Sequence, residues 1–413
     1  MKRRLLSVAL LVLALSVYGG GYQLYLESST DVLSIGGAGV ARTGAASSAW
    51  YNPAATVTID RTTVSFGGTL LGLAITYAND QHRDKLNDEF RMAGFFYGVQ
   101  PLNDDLRLTL SVNAPYGMIT QWQDKAQLST LAEYTMLRVC YVTPGLALKV
   151  SDEFSVAAGM NLAIGVARIG KQVDMSALGM ANNKIYMRAS GEGVGGFLSA
   201  FYRPHDDWSF GAHYQSPVRV RFAGDASYRF KSSHYGNMVR FDKGNVHTVL
   251  TMPGYLSLGV ENSTFDKLKL MADVVWTQWS VYKDMDIYMD KLPPTGKKGV
   301  SPAPRKWHDV MSYRVGAEYQ LDEHWVLRGG YMLDISPSNN RYRSPEMPDT
   351  NKQMFALGVG YQTANWGLDL GYAFVRFDDG KLGTEIAKKA GIVDRGTFSS
   401  RVNILSAQFT YRF

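Results

Sequence analysis

Few residues in this chain are spaced for bond-making chemistry. Gly191-Glu192-Gly193-Val194-Gly195-Gly196 has GxGxxG spacing. In a dinucleotide site that pattern closes a strand and opens a helix, so that backbone N–H groups meet a pyrophosphate. Here it leads into another alternating segment, and small residues packing under a plug account for it better. The seven histidines, His82, His205, His213, His234, His247, His308 and His324, are scattered. No two have metal-ligand spacing, so neither a metal nor any other cofactor is expected. Asp104-Asp105 and Asp206-Asp207 look like paired carboxylates but fall where the chain reverses, a place Asp favours. HExxH, Walker and GxSxG motifs are absent, and no Ser–His pair can be placed on one face near a rim. The chain does not read as an enzyme. The single cysteine, Cys140, excludes an internal disulfide and a lipid-anchored cysteine just after the leader.

Two proline sites carry mechanical meaning, because proline donates no ladder hydrogen bond. Asn113-Ala114-Pro115-Tyr116-Gly117 ends a third strand, and Pro144-Gly145 lies within the fourth, its neighbour. Lost bonds in adjacent strands could open a gap in a wall. They could equally be bulges that adjust twist.

The elements that hold these residues are strands. Hydrophobic residues make up 46% and charged residues 19% of 413, below the roughly 25% charged of soluble domains. Beyond the first twenty residues no long 3.6-period segment occurs. From Arg61 onward, alternating segments are joined by short connectors at 101–105, 151–153, 204–207, 262–266, 322–324 and 363–365. Longer polar stretches lie near 79–90, 118–131, 170–188, 223–246, 283–307, 336–352 and 379–398. Short and long take turns, as in an up-and-down transmembrane barrel with tight periplasmic turns and long outer loops. Thirteen connections mean fourteen strands. The last strand shows the period: Leu405, Ala407, Phe409, Tyr411 and Phe413 share one face, and Ile404, Ser406, Gln408, Thr410 and Arg412 the other. In lipid such strands must close into a ring. A soluble β-sandwich would not need loops that alternate in length.

The start of the chain is different. Lys2, Arg3 and Arg4 precede the apolar run Leu5–Val17, and Gly19, Gly20 and Gly21 follow. This is signal-peptide composition, and the run is too short to span a membrane. Removing those three cations lowers the net charge from +6 to +3. No basic cluster alternates with stacking aromatics, so a nucleic-acid partner is not supported. Gly21–Val57 is rich in Gly, Ala and Ser and has neither period. The expected organisation is a signal peptide over 1–20, a hatch or plug over 21–58, and a barrel over 59–413. The fold class is thus an all-β transmembrane barrel of fourteen antiparallel strands with an N-terminal hatch inside its lumen. Lumen candidates such as Gly193–Ala200 and Val156–Val166 are small and apolar. They suit an apolar solute, or they only make room for the plug.

These features resemble the FadL family, outer-membrane transporters of long-chain fatty acids and hydrocarbons in Gram-negative bacteria. Tyr51-Asn52-Pro53-Ala54-Ala55 matches the family's plug motif, and Ala114-Pro115-Tyr116-Gly117-Met118 its end of strand three. Pro217–Gly224, Trp276–Ser280, Trp307-His308-Asp309 with Tyr313–Tyr319, and Gly330-Tyr331 through Asp334–Pro337 follow in family order. The aromatic C-terminus Phe409, Tyr411, Phe413 resembles the signal read by the outer-membrane barrel assembly machinery.

The resemblance implies a monomer that sits among outer-membrane lipid and lipopolysaccharide and passes a hydrophobic small molecule. The ligand would be caught on a groove between outer loops at 170–188 and 223–246, with Met175, Leu178, Met180, Ile185 and Met187 as a flexible apolar set. It would then reach a pocket above the hatch. A shift of the hatch at Asn52, Pro53 and Ala54, which would face the kink at Asn113–Gly117, would release it sideways through a gap at that kink. Fatty-acid members carry basic pocket residues, and Arg168 and His308 stand at two such positions. A neutral His binds an anion less well than Lys, so an uncharged aliphatic or aromatic hydrocarbon stays open as the ligand. A structural or adhesive barrel with a fixed plug is the contrasting function.

Overall fold

The computed structural model describes residues 23, 28–86, 90–123, 128, 131–175, 180–232, 238–292 and 297–413. The signal peptide expected over 1–20 and the groove residue Leu178 lie outside them.

Fourteen antiparallel strands form the wall. They are β1 Thr63–Ala78, β2 Phe90–Pro101, β3 Leu106–Gln121, β4 Tyr134–Lys149, β5 Phe154–Met175, β6 Met180–His205 and β7 Trp208–Gln215, continued as Val218–Ser232. Next come β8 Met238–Met252, continued as Tyr255–Phe265, then β9 Leu268–Thr277, β10 Val310–Gln320 and β11 Trp325–Asp334. The last are β12 Lys352–Gln362, β13 Trp366–Phe377 and β14 Thr397–Arg412. Each pairs with the next, and β14 pairs with β1 from Thr63↔Arg412 to Ala78↔Thr397, which closes the ring. Closure gives every strand a partner on both sides, as a bilayer requires. The pleat sorts the faces. Leu368, Leu370, Tyr372, Leu405 and Tyr411 point out and are exposed, while Ala373, Val402, Ile404 and Gln408 point in and are buried. Trp366, Tyr361, Trp325 and Phe409 stack in a row near the short-turn end, forming an interfacial girdle.

Two expected loops prove to be ladder. The stretches 170–188 and 223–246 pair as strands up to Met175↔Met180 and Met238↔Lys231. Polar side chains beyond the bilayer do not stop pairing once both strands alternate. The long connection after β9 folds back as a hairpin, Ile287–Leu292 with Lys297–Ser301, that adds to β8 through Val246↔Met289. The GxGxxG segment lies within β6. A Cβ at Gly191 or Gly193 would strike the backbone carbonyls of Arg221 and Arg219. These glycines therefore admit the inward lean of β7 next door, not the plug.

Residues 28–59 fill the barrel. A five-residue helix α1, Thr30–Ser34, and a four-residue helix α2, Ser48–Tyr51, are followed by a 3-10 turn over Pro53–Thr58. Nearly every side chain among them is buried. Wall glycines make the fit possible. A Cβ on Gly330 would lie 2.1 Å from Gly36 N, one on Gly316 2.4 Å from Ile35 O, and one on Gly211 2.2 Å from Val40 O. Gly36 itself has φ +68, a conformation that glycine adopts without strain.

Candidate functional site

The plug is held to the wall by side chains that replace its missing secondary structure. Asn52 Oδ1 accepts from Ala54 N at 3.2 Å, and its Nδ2 donates to Val40 O at 2.8 Å and to Ala200 O of β6 at 3.1 Å. Pro53 then opens the 3-10 turn, where its lack of an N–H costs nothing. Ala54 and Ala55 pack against Ala147, Ala157, Phe197 and Phe201, and Ser155 Oγ donates to Ala54 O at 2.8 Å. The Asn52-Pro53-Ala54 motif therefore abuts β4–β6 and does not face the kink in β3. At the kink itself Gln23 forms an isolated antiparallel bridge with Tyr116, and Trp50 meets Tyr141 of the neighbouring β4 edge-on at 6.2 Å.

A chain of buried charges ties the other side of the plug to β10, β11 and β13. Arg42 pairs with Asp31 within the plug and with Glu318 at 2.9 Å. Arg328 then bonds Glu318 at 2.7 Å and Asp369 at 2.6 Å. Burial works against an ionised Asp31, but the Arg42 guanidinium and the hydroxyls of Ser29 and Ser47 hold its carboxyl below the usual carboxylate range. Nearby, Val40 N donates to Asp273 at 3.0 Å and Thr43 Oγ1 to Glu261 at 2.9 Å. The small, apolar lumen expected from Gly193–Ala200 and Val156–Val166 is thus only part of the inner surface. Charges at inward positions of β10, β11 and β13 were the readable signal for the rest.

The third strand breaks where the proline suggests. Asn113 pairs with Tyr141 and Tyr116 with Val139, so Ala114 and Pro115 together oppose one residue of β4. That is a bulge. On its other side β3 pairs with β2 only as far as Val112↔Phe96. Residues Phe90–Phe95 of β2 keep their partners on β1 but have none on β3. Beyond the bulge β3 bends into the lumen: Asn113 through Thr120 are all buried, and Tyr116 reaches Pro253 O across the barrel at 2.7 Å. The wall is open between β2 and β3. Pro144 faces Leu110 of β3, and on its other side the ladder with β5 passes from Val142↔Leu162 to Gly145↔Gly159, skipping Thr143 and Pro144 without a change of register.

Two cavities meet at this bent strand. The larger, about 1080 Å³ of empty space, is lined by Leu73, Ile75, Met118, Trp279, Met332, Ile335, Met347, Val375, Phe377, Val402 and Ile404. Its polar lining includes Arg314, Lys352, Asp334, Glu346 and Asp349. Arg314 sits at the plug end, donating to Gly37 O at 3.4 Å. Lys352 pairs with Asp334 at 2.8 Å and Asp349 at 3.5 Å. The second cavity, about 510 Å³, is lined by Met118, Met136, Leu137, Met187, Val246, Leu250 and Ile287. Met118, three residues past Pro115, borders both.

Of the expected ligand residues, Met187 lines the second cavity and Ile185 packs beside it. Met175 and Met180 end β5 and β6, and their side chains lie outside the described residues. Arg168 and His308 do not line either cavity. Arg168 shares the outward face of β5 with Leu162 and Met160, and His308 is exposed beside Pro337. Lys352 and Arg314 occupy the pocket instead; Lys352 is the one charge on the inward face of β12, and Arg314 shares the inward face of β10 with Glu318. Sequence reasoning also missed a buried Ser199–His213 contact of 3.1 Å on the inner wall. Among the described residues no carboxylate is hydrogen-bonded to that histidine, so the pair lacks the third group of a hydrolytic triad.

The family described as outer membrane protein transport protein (OMPP1/FadL/TodX) matches residues 10–413. The long-chain fatty acid transport protein of Escherichia coli (strain K12) is 20% identical over 420 residues, covering 91% of this chain and 92% of that protein. The crystal structure of a Pseudomonas aeruginosa FadL homologue superposes with a TM-score of 0.82 at 21% identity, over 96% of this chain and 100% of that one. The P. putida toluene transporter TodX superposes with a TM-score of 0.78 at 16% identity, over 94% of this chain and 99% of that one.

Proposed function

We propose, for a chain that belongs to the OMPP1/FadL/TodX family of outer membrane transport proteins, a route that carries long-chain fatty acids from outside into the bilayer. The protein is an outer-membrane transporter of hydrophobic compounds and not an enzyme. Residues 21–58 are its hatch. A ligand enters past the Met187 cavity, settles in the larger cavity above the plug, and leaves sideways between β2 and β3 when the plug shifts. The acyl chain lies among Leu73, Met118, Met332 and Val402, and the carboxylate meets Arg314 at the plug end.

The observation that carries this reading is the unpaired ladder from Phe90 to Phe95, which stands beside the strand segment lining both cavities. The direction needs no energy source. Each CH₂ leaving water for hydrocarbon contributes about 0.8 kcal/mol. A barrel with a fixed plug would have no use for a break in its wall at that place.

One observation favours an uncharged hydrocarbon instead. The pocket holds three carboxylates, Asp334, Glu346 and Asp349, against the two cations Arg314 and Lys352, and Lys352 is already paired with two of them. Binding of a long-chain fatty acid and of its alkane counterpart to detergent-purified protein separates the two readings. Fatty-acid preference lost in Arg314→Ala supports carboxylate recognition. Equal binding of both ligands supports hydrocarbon transport, and binding of neither contradicts uptake of either.

A further inference from the structure

The arginine that sequence reasoning assigned to the pocket points the other way, and it has company. On β5 the outward positions Phe154, Val156, Ala158, Met160, Leu162, Ile164 and Val166 are apolar, and the next is Arg168. At about 3.3 Å per residue and a tilt near 40°, the rise from Phe154 to Val166 is about 30 Å, enough to cross a lipid-facing band of about 25 Å. Arg168 thus emerges at the outer edge of the hydrocarbon. Its register partner on β6 is Arg188. On β7 Arg219 and Arg221 face outward past the apolar Trp208–Tyr214 run, while Val218, Val220 and Phe222 fill the interior.

All four arginines are exposed, and among the described residues none is held in an ion pair. Tyr134, Tyr186 and Ser227 border a hollow between Arg168 and Arg188. Two carboxylates share this face: Asp225, opposite Arg188, and Glu192, opposite Arg221. Among these six residues four cations face two anions. At the edge of the hydrocarbon an outward arginine costs little, and its guanidinium reaches into the headgroup layer. Arginine forks match phosphate bidentately. The outer leaflet that surrounds this level is built of a glycolipid whose sugar headgroup carries phosphates.

We infer that Arg168, Arg188, Arg219 and Arg221 form a binding site on the outer wall of β5–β7 for the phosphorylated headgroup of the outer-leaflet glycolipid, lipopolysaccharide. The site lies on the lipid side of the wall, with Ile169 and Met187 between it and the second cavity, and the tyrosines at its edge take the sugar and the upper acyl chains.

Native mass spectrometry of the full-length protein, extracted from outer membranes in mild detergent, reads the retained glycolipid directly. The wild type should keep bound glycolipid. The Arg168→Ala/Arg188→Ala/Arg219→Ala/Arg221→Ala variant should keep about tenfold less or lower, and the four Arg→Lys changes should keep an intermediate amount. Heat-dependent gel mobility confirms that each barrel is closed; if the quadruple variant fails to close, Arg168→Ala/Arg188→Ala replaces it. After delipidation, intact glycolipid should rebind. Dephosphorylated glycolipid should not, and millimolar inorganic phosphate alone should leave no bound mass. On the far wall one facing pair, Arg376 and Arg401, supplies the control. Unchanged retention in the alanine variant, equal binding of the dephosphorylated lipid, or an equal loss on changing Arg376 and Arg401 would each overturn the assignment.

Discussion

Removing the Arg42 side chain tests whether the plug is latched by charge. In Arg42→Met the stem still packs, but Asp31 loses its ion-pair partner and keeps only the hydroxyls of Ser29 and Ser47 and the N–H of Val32. Glu318 loses one of two guanidinium partners and retains Arg328 at 2.7 Å. Stranding one member of a buried pair costs about 3–5 kcal/mol. A ceiling comes from protonation, since neutralising a carboxyl of pKa about 3.9 at pH 7 takes about 4 kcal/mol. The docked plug should therefore be weakened by about 3–4 kcal/mol relative to a released one, where Asp31 is hydrated. That is about two to three powers of ten in the docking equilibrium. Hydrogen–deuterium exchange of peptides covering 28–59 should speed up accordingly, with the β12–β14 ladder unaffected. The double change Asp31→Asn/Arg42→Met removes both charges and should recover most of the loss. Unchanged exchange in the single variant, or a double variant as loose as the single, would refute the latch.

Three further outcomes follow from the same geometry. Because Asp31 titrates below its ordinary value in the docked plug, its contribution is present above about pH 4 and fades as the pH falls through the docked value; exchange over 28–59 should be steady from pH 5 to 7 and rise in stronger acid. Gly330→Val places a side chain where a Cβ already lies 2.1 Å from Gly36 N, so the barrel should close but the plug should be displaced, read as entry of large antibiotics that the wild type excludes. Asn52→Ala deletes two donors and one acceptor at buried partners, at about 1 kcal/mol each, and should loosen the 3-10 turn by about 2–3 kcal/mol in the same exchange assay.

Much of the barrel was legible because its signals are local. Short connectors such as Asp322–His324 and the period-2 faces of β13 and β14 each need only a few neighbouring residues. The bulge at Ala114-Pro115 was equally local, since proline states its own lack of a donor. What escaped depends on distant partners. Nothing near Arg42 announces Glu318, 276 residues away, and Arg314 and Lys352 become pocket residues only when the ring closes. Arg168 shows the commonest error: its position along β5 was readable, but a strand side chain faces in or out by one-residue parity. Counting that parity from Leu162 would have turned it outward. The stretches 170–188 and 223–246 read as loops because they are polar, yet polarity marks the end of the bilayer and not the end of the ladder.

The most direct test of lateral transport is to close the wall. Deleting Pro115 removes the extra residue of the bulge, so that β3 can run straight and residues beyond Val112 can pair with Phe90–Phe95. Six new residue pairs would add about 3–9 kcal/mol of ladder bonds at about 0.5–1.5 kcal/mol each. Uptake of a labelled long-chain fatty acid and of a labelled alkane is then measured in cells that carry this protein as their uptake route, with barrel closure checked by heat-dependent gel mobility. A closed, heat-stable barrel that takes up neither ligand while still binding one in detergent is the expected result. Uptake at the wild-type rate through that sealed wall would contradict the account.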